Sequence, residues 1–404
     1  MSRPSPSARA HRCSACCWRP RQRVRFDIAL AAMLGLLACD DPDAQPVSLA
    51  LDASVIDGAV GGPVLRDSDA GEVVHEGESA AKTADAAASD DSGGLAVYVP
   101  PSVAFPTDPP AQPFLLSQLG LYLDAKAHTL APDLIAYEPS YVLWSDGAQK
   151  TRHLRLPAGA RIDNRDPDHF QFPVGSVLFK EFALADKKLE TRVIARTGSG
   201  PRDYFFGAFV WRDDESDAVL SWDGQSNVRG SEHDVPSVKQ CGTCHNGEPG
   251  RVLGVSAVQT PQLALPLELP SAEPYRVPGS EREANALGYL HANCGHCHNP
   301  SGSARPDTDL MLRLSVTEHT VASTAIYRSN VDVKLQSFQG TALTLRVVPG
   351  DRAQSGLYFR MSQRGPRTQM PPIASEAVDE HGLTTVGAFI DGLAQVSGAD
   401  TLPH

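Results

Sequence analysis

Residues Ser280–His298 read SEREANALGYLHANCGHCH. Ser280 and Glu283 have the Ser-x-x-Glu spacing of a capping box, the start signal of a helix. Ala284, Leu287, Leu290, His291 and Cys294 follow at helical spacing, so a helix is expected to run into Cys294-Gly295-His296-Cys297-His298. Two cysteines three apart with a histidine directly behind them form the pattern of covalent c-type haem attachment. The two thiols add to the two vinyl groups of one haem, and the adjacent histidine is held beneath the iron. The pattern recurs upstream as Cys241-Gly242-Thr243-Cys244-His245. Composition alone predicts roughly 0.005 such matches in this chain, so chance is a poor explanation for two. The expected cofactors are therefore two covalently bound haem c groups. Cys241, Cys244, Cys294 and Cys297 are the attachment points, and His245 and His298 the proximal iron ligands. Zinc is the rival, but zinc ribbons space their cysteine pairs by about 15–20 residues, and about 50 separate these. A redox-active CxxC disulfide is a third reading, and it leaves the histidine behind each pair without a purpose.

Leu383, Val386, Phe389, Ile390 and Leu393 repeat with helical period near the other end. A helix before the haem, a loop region after it and a closing helix make the plan of a class I cytochrome c. Residues 280–397 are accordingly expected to be a mainly α, class I cytochrome c-like region holding the second haem. That plan needs a sixth iron ligand. Beyond residue 39 the methionines are Met311, Met361 and Met370. Met370 stands in Gln369-Met370-Pro371-Pro372, where the following proline holds it extended and the second proline stiffens the strap. It is the preferred ligand, because Met361 and Met311 sit in apolar runs that suit core packing. His/Met ligation raises the reduction potential relative to His/His.

Residues 237–279 form the first haem-attachment region. Between His245 and Ser280 there is no methionine, and proline and leucine dominate. The distal ligand there must come from elsewhere or be absent. His291, on the apolar face of the helix entering the second motif, is the first candidate; packing against its own haem is the equal alternative.

Residues 113–236 carry short runs of aromatic and β-branched residues between turn residues. Tyr141–Trp144, His153–Leu156, Ser176–Phe182, Glu190–Arg196, Tyr204–Trp211 and Ala218–Trp222 are expected strands. The fold class expected is thus multidomain: an N-terminal all-β domain, sandwich or barrel-like, followed by the mainly α cytochrome region. Trp144-Ser145-Asp146-Gly147 reads as a structural turn, and His153 and His169 as bland strand or surface residues.

Residues 1–39 read as a lipoprotein-type signal peptide. Seven arginines precede a short apolar run, Ile28–Leu37, too short to cross a bilayer. Leu36-Leu37-Ala38-Cys39 resembles a bacterial lipobox, which makes Cys39 the expected lipidation site. Cys13, Cys16 and Cys17 lack the histidine of haem attachment and precede the expected cleavage point. Residues 40–112, rich in Asp, Ala, Gly, Ser and Pro, read as a disordered acidic linker. The net charge of -12 argues against a nucleic-acid partner, which needs a basic face.

Several motifs together resemble a bacterial family of exported diheme c-type cytochromes. They are Leu143-Trp144-Ser145-Asp146-Gly147-Ala148 with Lys150 and Arg152, Phe172-Pro173-Val174-Gly175-Ser176, and Val235-Pro236-Ser237 ahead of Cys241. Tyr289–His298, Val348-Pro349-Gly350-Asp351 and Gln369-Met370-Pro371-Pro372 complete the set, which spans roughly Pro113 to Leu393. The family often has Trp-x-Ile-Pro-Ser before its first motif, where this chain has His233-Asp234-Val235-Pro236-Ser237. The resemblance implies electron transfer in the bacterial cell envelope, periplasmic or at the surface, with redox partner proteins and a lipid anchor in the membrane. A diheme peroxidase-like oxidoreductase with one open haem site is the alternative.

Overall fold

Between Val177 and Leu184 the side chains alternate across a sheet, as the two-residue period of a strand requires. Val177 and Phe179 pack with Val193, Ala195, Phe205, Phe209 and Trp211 on one face. Leu178 packs with Leu154 and Ile194 on the other. The computed structural model describes residues 98–260, 265–270, 274–336, 341–365, 367–373 and 375–394. The signal peptide with Cys39, and the linker up to residue 97, lie outside the described residues.

A two-stranded hairpin, β1 (Tyr122–Asp124) and β2 (Thr129–Leu130), precedes a six-stranded antiparallel meander. The meander runs β3 (Ile135–Ala136), β4 (Gln149–Arg155), β5 (Val177–Leu184), β6 (Lys187–Arg196), β7 (Tyr204–Trp211) and β8 (Ala218–Leu220), each strand beside its sequence neighbour. The expected runs thus form strands, except Tyr141–Trp144, which is irregular. The segment around Leu116, Leu119 and Leu121 covers one face of this sheet. Each such side chain, fully buried, contributes about 1.5–3 kcal/mol.

Five α-helices follow among the described residues: α1 (Val238–His245), α2 (Glu281–Asn293), α3 (Ala325–Asn330), α4 (Gly356–Met361) and α5 (Glu380–Gly392). The capping box forms as expected: the Glu283 carboxylate accepts from the Ser280 N–H at 2.7 Å, and Ser280 Oγ accepts from the Glu283 N–H. Asp379 caps α5 by accepting from the Gly382 N–H at 2.9 Å. Leu287 and Leu290 of α2 pack on Leu383, Val386, Phe389 and Ile390 of α5, together with Met361. α2 approaches the upstream chain so closely at Gly288 that an added Cβ would overlap the Tyr141 ring.

The expected fold class is overturned. The β part is a single open meander with one small hairpin, not a sandwich or closed barrel. The region from residue 280 onward is not a mainly α cytochrome c-like region. Its two long helices have 13 residues each, two more have six, and irregular chain occupies much of the rest. The described residues belong to one compact unit, Asp90–His404, rather than to a β domain followed by an α domain. The two terminal helical patterns are real. Between them, however, no stretch sustains an apolar 3.6-residue repeat long enough for a bundle, and loops rich in Gly, Ser, Thr and Pro take its place. Among the described residues no helix is long and apolar enough to cross a membrane.

Candidate functional site

Ser237 starts α1, its N–H donating to Gln240 Oε1 at 2.8 Å. The first CxxCH is therefore helical throughout, and Cys241, Cys244 and His245 stand at i, i+3 and i+4, neighbours on one helix face. That face meets β7, where the Phe206 ring lies 5.0 Å from the His245 ring. His245 Nδ1 is 2.7 Å from the Arg251 carbonyl oxygen. A carbonyl only accepts, so Nδ1 carries the proton and Nε2 keeps its lone pair, the arrangement in which a histidine serves as a metal ligand. Burial, opposed by that carbonyl and assisted by His296, Lys180 and Arg192, lowers the His245 pKa to about 4, so the ring is neutral at neutral pH.

Cys241, Cys244 and His245 line a cavity of about 160 Å³ that opens to solvent. Leu178, Ile194 and Phe206 give the cavity an apolar floor, while Arg152, Lys180 and Arg192 add cations to it. Two thiols, a neutral imidazole with Nε2 available, and a largely apolar recess beside them are the donor set and setting that would hold an iron porphyrin at the first motif.

The second motif joins the first. Cys297 Sγ lies 3.8 Å from the Thr243 carbonyl oxygen, and the ligand atoms of Cys244, His296 and Cys297 lie within 4.8 Å of one another. Hydrogen bonding between the two thiols raises the pKa of Cys244 and lowers that of Cys297, whose thiolate His296 also favours. A structural zinc takes four protein ligands. Among the described residues this cluster has three, and it bypasses both motif histidines, His245 and His298. Cys294 packs against the core of α2 and α5, and burial pushes its thiol up to about 12. His298 is 8% exposed, and its Nδ1 has no hydrogen-bond partner among the described residues. Asn299 Nδ2 donates to the carbonyls of Gly295 at 2.8 Å and His296 at 3.0 Å and sets the shape of the motif turn.

His291 lines a smaller neighbouring recess with Glu248 and Arg313. Its Nδ1 accepts the Leu314 backbone N–H at 3.0 Å, which leaves the ring proton on Nε2. Met370 sits in the loop between α4 and α5, half-buried, with its N–H donating to the Arg360 carbonyl at 2.9 Å and its carbonyl accepting from Arg364 at 3.3 Å. Met361 lies in the core instead, and the backbone of Met311 is tied to Ser329.

His296 and the Trp144–Gly147 turn have more to do than the sequence disclosed. His296, inside the second motif, joins the wall of the cavity at the first. The Trp144 N–H donates to Asn293 Oδ1 at 2.7 Å, and Asn293 Nδ2 donates to the Val142 carbonyl at 3.2 Å, which ties the turn to the end of α2. Asp146 Oδ1 accepts the backbone N–H groups of Glu376 and Ala377, both at 2.9 Å. One turn thus holds the helix that leads to Cys294 and the strap that follows Met370. The Asp146-Gly147 dipeptide was the available signal, and it marks a turn, here left-handed at Asp146 with φ 48°, without naming its partners. Asp146→Ala strands both strap N–H groups. It should cost about 1–3 kcal/mol of stability, read from urea unfolding. Unchanged stability would show that the clamp is slack.

No family model, no curated protein and no solved structure matches this chain. What the site holds and does must therefore be inferred from its own residues.

Proposed function

We propose that this chain is a c-type cytochrome with two covalently bound haems that passes electrons between redox partner proteins in the bacterial cell envelope. The family resemblance carried by its motifs supports the same proposal, as does the expected export and lipid anchoring through Cys39. When bound, each iron porphyrin supplies a one-electron redox couple. Cys241, Cys244 and His245 hold the first haem. Cys294, Cys297 and His298 would hold the second, and Met370 would be the candidate for its further ligand. The observation that carries the proposal is the first motif's geometry. Its histidine is kept neutral with Nε2 available, beside two thiols and a largely apolar cavity. The approach of the two motifs, with Cys297 Sγ 3.8 Å from the Thr243 carbonyl oxygen, supports the proposed transfer between the two cofactors.

The alternative is a peroxidase-like enzyme with one open haem. It is favoured by His291, whose Nε2 carries the ring proton and is not available to an iron.

Expression in a host with a working haem-attachment system tests the proposal. Intact mass and a reduced pyridine-haem spectrum should give two haems per chain, both irons low-spin. Met370→Ala should then abolish the methionine–iron absorption band and lower one potential; a surviving band would remove Met370 from the coordination sphere. A high-spin iron that binds cyanide and turns over peroxide would select the enzyme. Colourless protein, or protein holding zinc, would end the haem reading.

A further inference from the structure

Strands β4, β5 and β6 pair Arg152 with Lys180 and Lys180 with Arg192. Directly paired residues share a sheet face, and like charges placed opposite one another are destabilising. Here all three face the cavity beside the first motif. Arg192 has a carboxylate partner, Glu190, at 2.6 Å. Arg152 is 7% exposed and forms no ion pair among the described residues; Glu138 acts on it only from beyond ion-pair distance. The Lys180 ammonium rests 4.8 Å from the centre of the Phe182 ring and likewise has no ion pair among the described residues. Burial, with Arg152, Arg192 and Lys150 around it, lowers its pKa well below the ordinary lysine value. Uncompensated buried charge is expensive, and removing one partner of a buried pair costs several kcal/mol. A sheet that places three cations in one row and supplies one carboxylate needs an anion from another source.

We infer that Arg152 and Lys180 form the site for the propionate carboxylates of the haem attached at Cys241 and Cys244. This rests on the haem reading proposed above. Porphyrin chemistry sets the direction: the propionates lie on the edge opposite the vinyl groups that take up the thiols. Arg192 acts on both Cys241 and Cys244, so it lies toward the thiol end, where Glu190 already neutralises it. The row then leads away across β5 to β4, two strand spacings or about 10 Å. The cations without a partner are the ones at the far end of the row.

The test uses the matured holoprotein and the variants Lys180→Gln and Arg152→Gln. Haem content should stay at two per chain. The propionate-bending bands in the resonance Raman spectrum should shift. The reduction equilibrium of the first haem should move at least tenfold toward the oxidised state (59 mV for one electron), because a cation that opposes the ferric charge has gone. Lys180→Arg and Arg152→Lys keep the charge and should restore both readouts, and they serve also if a glutamine variant does not fold. Two haems with unchanged bands and potentials in the glutamine variants would overturn the inference. Inorganic phosphate titrated into the parent protein should have no saturable effect on the potential. A saturable effect lost in Arg152→Gln would assign the row to a free anion and overturn the propionate site. A parent protein without haem at Cys241 and Cys244 overturns the function proposal and this inference together, and it is recognised before any variant is made.

Discussion

On the proposed function, replacing Cys241 and Cys244 together by alanine should lower the haem content from two per chain to one, with the fold retained. Both thiols are only half-buried and line the cavity, so their loss removes little packing. α1 keeps its cap at Ser237, and His245 keeps its bond to the Arg251 carbonyl. What disappears is the pair of thioether bonds at the first motif. Intact mass and the pyridine-haem spectrum read the stoichiometry directly, and circular dichroism checks the fold. The remaining haem should keep the methionine–iron band, because Met370 is assigned to the second site. A folded variant that still carries two haems would refute attachment at the first motif. A folded variant with none would mean that the two sites are not independent.

The second large effect is expected at Glu190. This carboxylate is fully buried and accepts from Arg192 at 2.6 Å and lies 2.7 Å from His233 Nε2. Burial works to raise its pKa, but the Arg192 guanidinium and the His233 ring outweigh it and hold the carboxyl below its ordinary value. Glu190→Gln leaves the partly buried Arg192 beside Lys180 without its carboxylate. Breaking a buried pair in this way costs about 3–5 kcal/mol, read from the urea midpoint at constant slope. The pH dependence follows from the depressed pKa. The carboxylate's contribution is complete above the unfolded value of about 4.3 and is lost as pH falls through the lower folded value. The parent protein should therefore lose stability in that acid range, and Glu190→Gln should lose less. Equal stability at neutral pH would show that the pair contributes nothing net.

Much of the candidate site was legible because its chemistry is local. Five consecutive residues suffice to mark each attachment motif, and the cap of α2 needs only Ser280 and Glu283. The strands from β4 to β8 announced themselves by composition and alternation. The second half misled for a physical reason. Two amphipathic helices at its ends are compatible with many connections, and the loops between them carry no period to decide among these. The first motif looked incomplete because the residues around it, from Arg152 to Phe206, lie 35 to 89 positions before Cys241.

Linear order marked the two CxxCH motifs, the helix starts and the alternating faces of the strands, since each depends on neighbours a few positions apart. Folding alone settled that the two motifs meet, that a cavity opens on the first, and that Arg152, Lys180 and Arg192 stand in one row. Alternation says which face a side chain takes but not which residue lies beside it. That neighbour is chosen by strand register, and register is set by the packing of the whole sheet.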